Sequence, residues 1–270
     1  MTDIIVVHKD VLCLIKHFLK YLKRNTAMPF RLIVVDNSSS DCSVEFLQKE
    51  KDLGNIDVLV RASKEKVPQF LPHRTDLIYD RYFGELTHGD CLDIASEYII
   101  NKFYVTIDSD VFVKQGWLSR LLIEMEDNSV CSTGYSKYGV ANTSRIWVAC
   151  CLTRSEMYFR HRCSFRPVSC GELYYDTGDY LSTVLNKENK HIHIKGHKEY
   201  WNHIVGMTSF HNILKSYKTI DEIIKRNILP KDIMRSASEW YYKLFEIYDT
   251  ADCDCEWFLD SHLELIKKLN

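Results

Sequence analysis

Apolar residues come along this chain in short unbroken runs, separated by longer stretches in which they recur every three or four positions. Ile4-Ile5-Val6-Val7 has no polar interruption, which predicts a strand buried on both faces. After a polar turn at His8-Lys9-Asp10, Val11, Leu12, Leu14, Ile15, Phe18, Leu19 and Leu22 recur at helical spacing, with Lys16, Lys20 and Lys23 opposite. That spacing predicts a surface helix, ended at Met28-Pro29 because proline cannot continue it. The run 31–35 (RLIVV) predicts a second strand. Polar residues from Asp36 to Asp41, suited to helix caps, then lead into a helix over 42–51, and 56–62 predicts a third strand. Strands and helices in alternation, with continuously apolar strands, imply a parallel sheet covered on both faces.

Residues 63–83 read as loop, with Pro68 and Pro72 among polar and aromatic side chains. A helix is predicted over 88–101, with Leu92, Ala95 and Ile99 on one stripe, followed by a strand over 103–107 and an amphipathic helix over 117–125. Further strands are predicted at 145–154 and 192–194, the second leading into an aromatic and histidine-rich segment from Tyr200 to His211. From 212 onward the pattern is helical with a break at Pro230. The expected organisation is one α/β domain over 1–211 with a helical C-terminal extension over 212–270.

Composition narrows the function classes. A hydrophobic fraction of 46 % in 270 residues is ample for one large core, and a net charge of −2 carries no bias toward nucleic acid. No stretch approaches a membrane span and no secretory leader is visible, which predicts a cytoplasmic protein and leaves peripheral membrane contact open. The ten cysteines include no CxxC pair, so reduced core thiols are expected rather than disulfides. Zinc readings of Cys253 with Cys255, and of the histidines in HIHIKGH (191–197), lack standard ligand spacing.

The stretch YVTIDSDVFV (104–113) sets two carboxylates one residue apart at the end of an apolar run. If the strand continued through them, Asp108 and Asp110 would point the same way. That direction faces the crevice at the carboxyl edge of the sheet, where open α/β folds bind ligands. Two like charges this close call for a cation, and a hard divalent ion such as Mg²⁺ or Mn²⁺ suits oxygen ligands.

In this setting the chain resembles the family 2 glycosyltransferases. Four segments carry the resemblance, in order: IIVVHKD, VVDNSSSD (34–41), THGDCLDIASEYIINKFYVTIDSDVFVKQGWL (87–118) and YYDTGDYLSTVL (174–185). The resemblance covers about residues 3–210. It implies a GT-A fold, Rossmann-like and mostly parallel, and transfer of a sugar from a UDP- or GDP-sugar to a glycan, lipid or protein hydroxyl, with inversion. It implies that Asp36 accepts a hydrogen bond from the nucleotide base, with His8 lining the same pocket. His88 and Gly89 would approach the diphosphate. Asp108, Ser109 and Asp110 would hold the nucleotide and a Mn²⁺ or Mg²⁺ ion, with His203, or failing it His211, completing the metal sphere.

The acceptor hydroxyl needs a general base. Asp176 and Asp179 are the candidates that the resemblance implies. Here this chain departs from the commoner adjacent Glu-Asp pair, so either carboxylate fits. Tyr135, Tyr138, Trp147, Tyr200 and Trp201 are candidate acceptor contacts, since aromatic faces suit sugar rings. Two alternatives stand beside this expectation. A sugar-phosphate nucleotidyltransferase would need a Gly-rich basic loop after the first strand, where this chain has VHKDVL. A non-catalytic nucleotide-sugar-binding module of the same fold would show no loss of activity at Asp176 or Asp179.

Overall fold

A computed structural model describes residues 1–68, 86–127, 130–138, 144–160, 164–170, 173–175, 177–179, 181–182, 190–194 and 196–203, with Asp221, Lys225 and Glu239 beyond them. Its strands are β1 (Thr2–His8), β2 (Phe30–Asp36), β3 (Val58–Arg61), β4 (Phe103–Asp108), β5 (Val111–Val113), β6 (Val130–Tyr138), β7 (Ser144–Arg154), β8 (Val168–Cys170), β9 (Leu173–Tyr175), β10 (Lys190–His193) and β11 (Trp201–His203). Its α-helices are α1 (Leu12–Asn25), α2 (Ser43–Asp52), α3 (His88–Ser96), α4 (Trp117–Glu124) and α5 (Ser155–Arg160).

Seven strands form one sheet in the order β10-β6-β7-β4-β1-β2-β3. β7 runs antiparallel to both its neighbours, and the other pairs are parallel. Strand alternation sorts the apolar runs onto two cores. Ile4, Val6, Leu32, Val34, Val105 and Ile107 face α1 and α4, where they meet Phe18, Leu22, Trp117 and Leu121. Ile5, Val7, Ile33, Val35 and Tyr104 face α3 and α5, where they meet Leu92, Ala95, Tyr158 and Phe165. This is why the central strands read as continuous apolar runs: each of their faces is covered by helix. Cys13, Cys91, Cys150 and Cys151 are buried free thiols, and Cys42 is an exposed one.

Three differences from the sequence reading have physical causes. The helix expected over 88–101 stops at Ser96, and three-residue turns replace it, with the Tyr98 amide donating to the Ala95 carbonyl at 3.0 Å. The buried Asp3 carboxylate accepts from the amides of Ile100 and Asn101 at 2.9 and 2.8 Å, so a tertiary partner takes the chain out of the helix. β6 was not anticipated because VCSTGYSKY has no apolar run. The strand carrying the two aspartates does not continue through them: β4 ends at Asp108, and β5 leaves the main sheet to pair with β11. The helical extension expected over 212–270 lies outside the described residues except at Asp221, Lys225 and Glu239, which are helical. Among the described residues no helix is long and apolar enough to cross a membrane.

Candidate functional site

The carboxyl ends of β1, β2 and β4 lie side by side, with His8 opposite Asp36 and Val7 opposite Asp108 in the parallel register. A two-residue turn at Ser109-Asp110 separates β4 from β5. β5 then pairs antiparallel with β11, setting His203 opposite Val111. A residue far along the chain is thereby placed beside the aspartates. His203 Nε2 is 3.2 Å from Asp110 Oδ1 and 3.9 Å from Asp108 Oδ2. One ligand atom from each of the three residues lies within 4.8 Å of the others. Two carboxylate oxygens and one imidazole nitrogen make a donor set that fits a divalent cation, and two carboxylates so close gain from a positive charge between them.

His88 is the first residue of α3, and its Nε2 lies 3.6 Å from Asp108 Oδ1. α3 starts there because Thr87-His88-Gly89-Asp90 is a capping box. The Asp90 amide donates to Thr87 Oγ1 at 3.1 Å, and the Thr87 amide donates to Asp90 Oδ2 at 2.9 Å. The glycine at position 89 answers to a close approach inside the protein: a Cβ there would stand 2.6 Å from the Phe165 carbonyl oxygen and 2.7 Å from Arg166 Cα.

The turns after β1 and β2 interlock. The Asp10 amide donates to Ser39 Oγ at 2.8 Å, the Ser40 amide to Asp10 Oδ1 at 2.7 Å, and the Leu12 amide to Asp41 Oδ2 at 3.0 Å. Asp10, Val11 and Ser38 hold φ of 52°, 62° and 56°. For a β-branched residue such as Val11 that is a strained conformation, kept only because its surroundings enforce it. Asp36 and His8 sit buried beneath these turns. Asp36 Oδ2 accepts from the Ser39 amide at 3.3 Å and lies 3.9 Å from Arg61 Nε. Asp36 Oδ1 and both ring nitrogens of His8 have no hydrogen-bond partner among the described residues. Burial pushes the His8 pKa below its usual 6.5, outweighing the nearby carboxylates of Asp41, Asp36 and Asp10, so the ring is neutral at pH 7.

Asp179 is buried at the start of a helical turn. Gly178, in the left-handed region at φ 81°, packs so closely that a Cβ would run into Val148 Cγ1. Asp176 and His211 lie outside the described residues, as do the side chains of Tyr135, Tyr138 and Trp147. Trp201 belongs to the core beside α4, 2 % exposed, which removes it from the acceptor contacts. Tyr200 is partly buried against the same core. The sequence reading passed over Asp90 and Asp93. The T-x-x-D spacing at 87–90 was the available signal for the first, while Asp93 carries no local one.

No protein-family model matches the chain, and no curated protein does. Solved structures do. A mannosyltransferase from Pyrobaculum calidifontis in complex with GDP-Man and Mn²⁺ superposes with a TM-score of 0.54 at 12 % identity, covering 99 % of this chain and 74 % of that one. S. aureus TarS superposes with a TM-score of 0.52 at 14 % identity over 93 % of this chain, which spans only 44 % of the TarS chain. TarS 1–349 in complex with UDP gives a TM-score of 0.50 at 13 % identity, covering 93 % of this chain and 73 % of that one. At such identities the likeness is one of fold: the chain has the mixed, mostly parallel α/β architecture of the GT-A glycosyltransferases.

Proposed function

We propose that this protein transfers a sugar from a nucleoside-diphosphate sugar to an acceptor hydroxyl in a divalent-metal-dependent reaction. The observation that carries this function is the meeting of Asp108, Asp110 and His203 at the carboxyl edge of a GT-A sheet. These three residues would hold Mn²⁺ or Mg²⁺, which when bound neutralises the charge that develops on the departing nucleoside diphosphate. Asp36 Oδ1 and the neutral His8 ring offer the base an acceptor and one further hydrogen-bonding edge. His88 and Ser109 flank the diphosphate. Support for a UDP- or GDP-linked donor comes from the ligands of the structurally similar proteins, UDP for TarS and GDP-Man for the mannosyltransferase.

The acceptor oxygen attacks the anomeric carbon as the bond to the diphosphate oxygen breaks. One carboxylate, Asp176 or Asp179, takes the hydroxyl proton. A single in-line displacement of this kind inverts the anomeric centre. The donor-binding domain comprises residues 1–211, with 212–270 as an extension to it.

A panel of UDP-glucose, UDP-GlcNAc and GDP-mannose, each with and without MnCl₂, tests this directly. Thermal stabilisation by at least one donor only with metal, together with slow release of UDP or GDP, is the expected result. If no donor stabilises the protein in metal and Asp110→Ala changes nothing, the function is wrong. The anomeric configuration of the newly formed glycoside, read by proton NMR, tests inversion separately.

A further inference from the structure

Asp93 is a fully buried carboxylate on α3, the helix whose first residue touches Asp108. Its hydrogen bonds come from α5 and from residues 164 and 165, which pack with α3 on the same face of the sheet. Ser164 Oγ donates to Oδ2 at 2.6 Å, and the Phe165 amide and Tyr158 hydroxyl donate to Oδ1 at 2.9 and 3.0 Å. The Arg166 guanidinium bridges the same helix, its Nε 2.7 Å from Asp90 Oδ1 and 3.4 Å from Asp93 Oδ2, while the Arg166 amide donates to Ser164 Oγ at 3.1 Å. One buried charge therefore ties down three successive residues, 164 to 166, against α3. Glycine at 89 lets their backbone come this close.

The tie continues from Phe165 to Gly178. The Phe165 carbonyl accepts the Gly178 amide at 2.9 Å. Gly178 is the left-handed residue in the turn that precedes Asp179, hemmed in by Val148. Either candidate base is thus within two residues of a backbone amide held by a residue that Asp93 holds. A buried carboxylate is costly unless its acceptor sites are filled, and a cluster that only filled space would be apolar at less cost. A filled polar network of this kind selects one geometry, and base catalysis depends on geometry.

We propose that Asp93 is a positioning residue for the transfer reaction. Through Ser164, Phe165 and Arg166 it fixes the backbone at Gly178, next to Asp179 in the chain, so that the base meets the acceptor hydroxyl at the sugar donor. This role rests on the glycosyl-transfer function proposed above.

The test compares Asp93→Asn, Ser164→Ala and Tyr158→Phe with the wild-type protein. Three readouts are taken: UDP and GDP affinity in MnCl₂ by calorimetry, hydrolysis of UDP-GlcNAc and GDP-mannose with water as acceptor, and hydrogen exchange at the Gly178 amide. Expected for Asp93→Asn are nucleotide affinity within about twofold of wild type, hydrolysis slower by roughly 100-fold as for a base displaced by about an ångström, and faster exchange at Gly178 with β1 and β4 unchanged. Ser164→Ala and Tyr158→Phe, which delete one hydrogen bond each, show the same pattern in smaller measure and carry the test if Asp93→Asn does not fold. Unchanged hydrolysis or unchanged Gly178 exchange in folded variants overturns the positioning role while the transferase function stands. A parallel fall of affinity and turnover, tracking lost stability, also overturns it. Wild-type protein that neither binds nor hydrolyses any donor removes the transferase function itself, and the positioning role falls with it.

Discussion

Asp93 and Asp36 are both buried carboxylates, and their surroundings could hardly differ more. Asp93 accepts three hydrogen bonds and has Arg166 beside it. Asp36 accepts one bond on Oδ2, its nearest cation stands 3.9 Å away, and Oδ1 has no partner among the described residues. A buried polar group without a partner costs free energy, so the satisfied carboxylate reads as scaffold and the unsatisfied one fits the nucleotide-binding role proposed above. Asp108 and Asp110 form a third arrangement: acid stands near acid, with the imidazoles of His88 and His203 beside them.

The largest expected effect breaks the satisfied half. Asp93→Ala leaves three buried donors without an acceptor and is expected to lower stability by about 3–5 kcal/mol, read from urea unfolding. If the loss is below about 1 kcal/mol, the distinction between the two carboxylates fails.

The pH dependence of that loss sharpens the same point. Burial pushes the Asp93 carboxyl up to about 6, against hydrogen bonds from Ser164, Phe165 and Tyr158 and the charge of Arg166, all of which pull it down. A raised pKa means that the folded state binds the proton more tightly than the unfolded chain does. Its stabilising contribution is therefore complete below about pH 4 and lost as pH rises through about 6. The stability gap between wild type and Asp93→Ala should accordingly widen by something on the order of 3 kcal/mol from pH 7 to pH 4. A gap that is flat across this window, measured by unfolding at each pH, contradicts the burial of the charge.

On the unsatisfied side, Asp110→Asn should abolish Mn²⁺-dependent stabilisation by nucleotide and slow transfer about 100-fold or more. The melting temperature of the ligand-free protein should stay level or rise, since a like charge beside Asp108 has gone. Asp36→Asn is expected to weaken nucleotide binding by about tenfold, the worth of a hydrogen bond to a charged acceptor. Its effect on stability should stay within about 1 kcal/mol, because few scaffold bonds depend on it. At the bottom of the scale is the surface pair Arg120–Glu124, one helical turn apart at 2.6 Å. Glu124→Gln should cost less than about 0.5 kcal/mol, as measured by thermal unfolding.

Much of the fold was legible in the residues. Runs such as Ile4–Val7 and Leu32–Val35 announce strands covered on both faces, because period-two alternation disappears when both faces are apolar. The heptad-like stripe from Val11 to Leu22 announces α1 for the opposite reason, since one face of that helix meets water. β6 was not legible: its residues are small and polar, and it is a strand because β7 and β10 flank it. The end of α3 was not legible either, because the carboxylate that draws Ile100 and Asn101 out of the helix belongs to Asp3, on β1. Of the candidate site, the spacing of Asp108 and Asp110 was visible at once, and His203 was singled out only through a family resemblance.

The sequence by itself determined the alternation of strands and helices, the two-sided burial of the sheet and the carboxyl edge at which the aspartates emerge. These follow from local patterns, because burial is periodic along an element and polar residues gather where it ends. Only the tertiary structure decided that His203 lies across from Val111, that Asp93 reaches residues 164–166, and that Asp36 keeps an open oxygen. Such facts depend on which distant segments become neighbours. A side chain's chemistry is set by the groups that surround it after folding, and the order of residues along the chain does not state them.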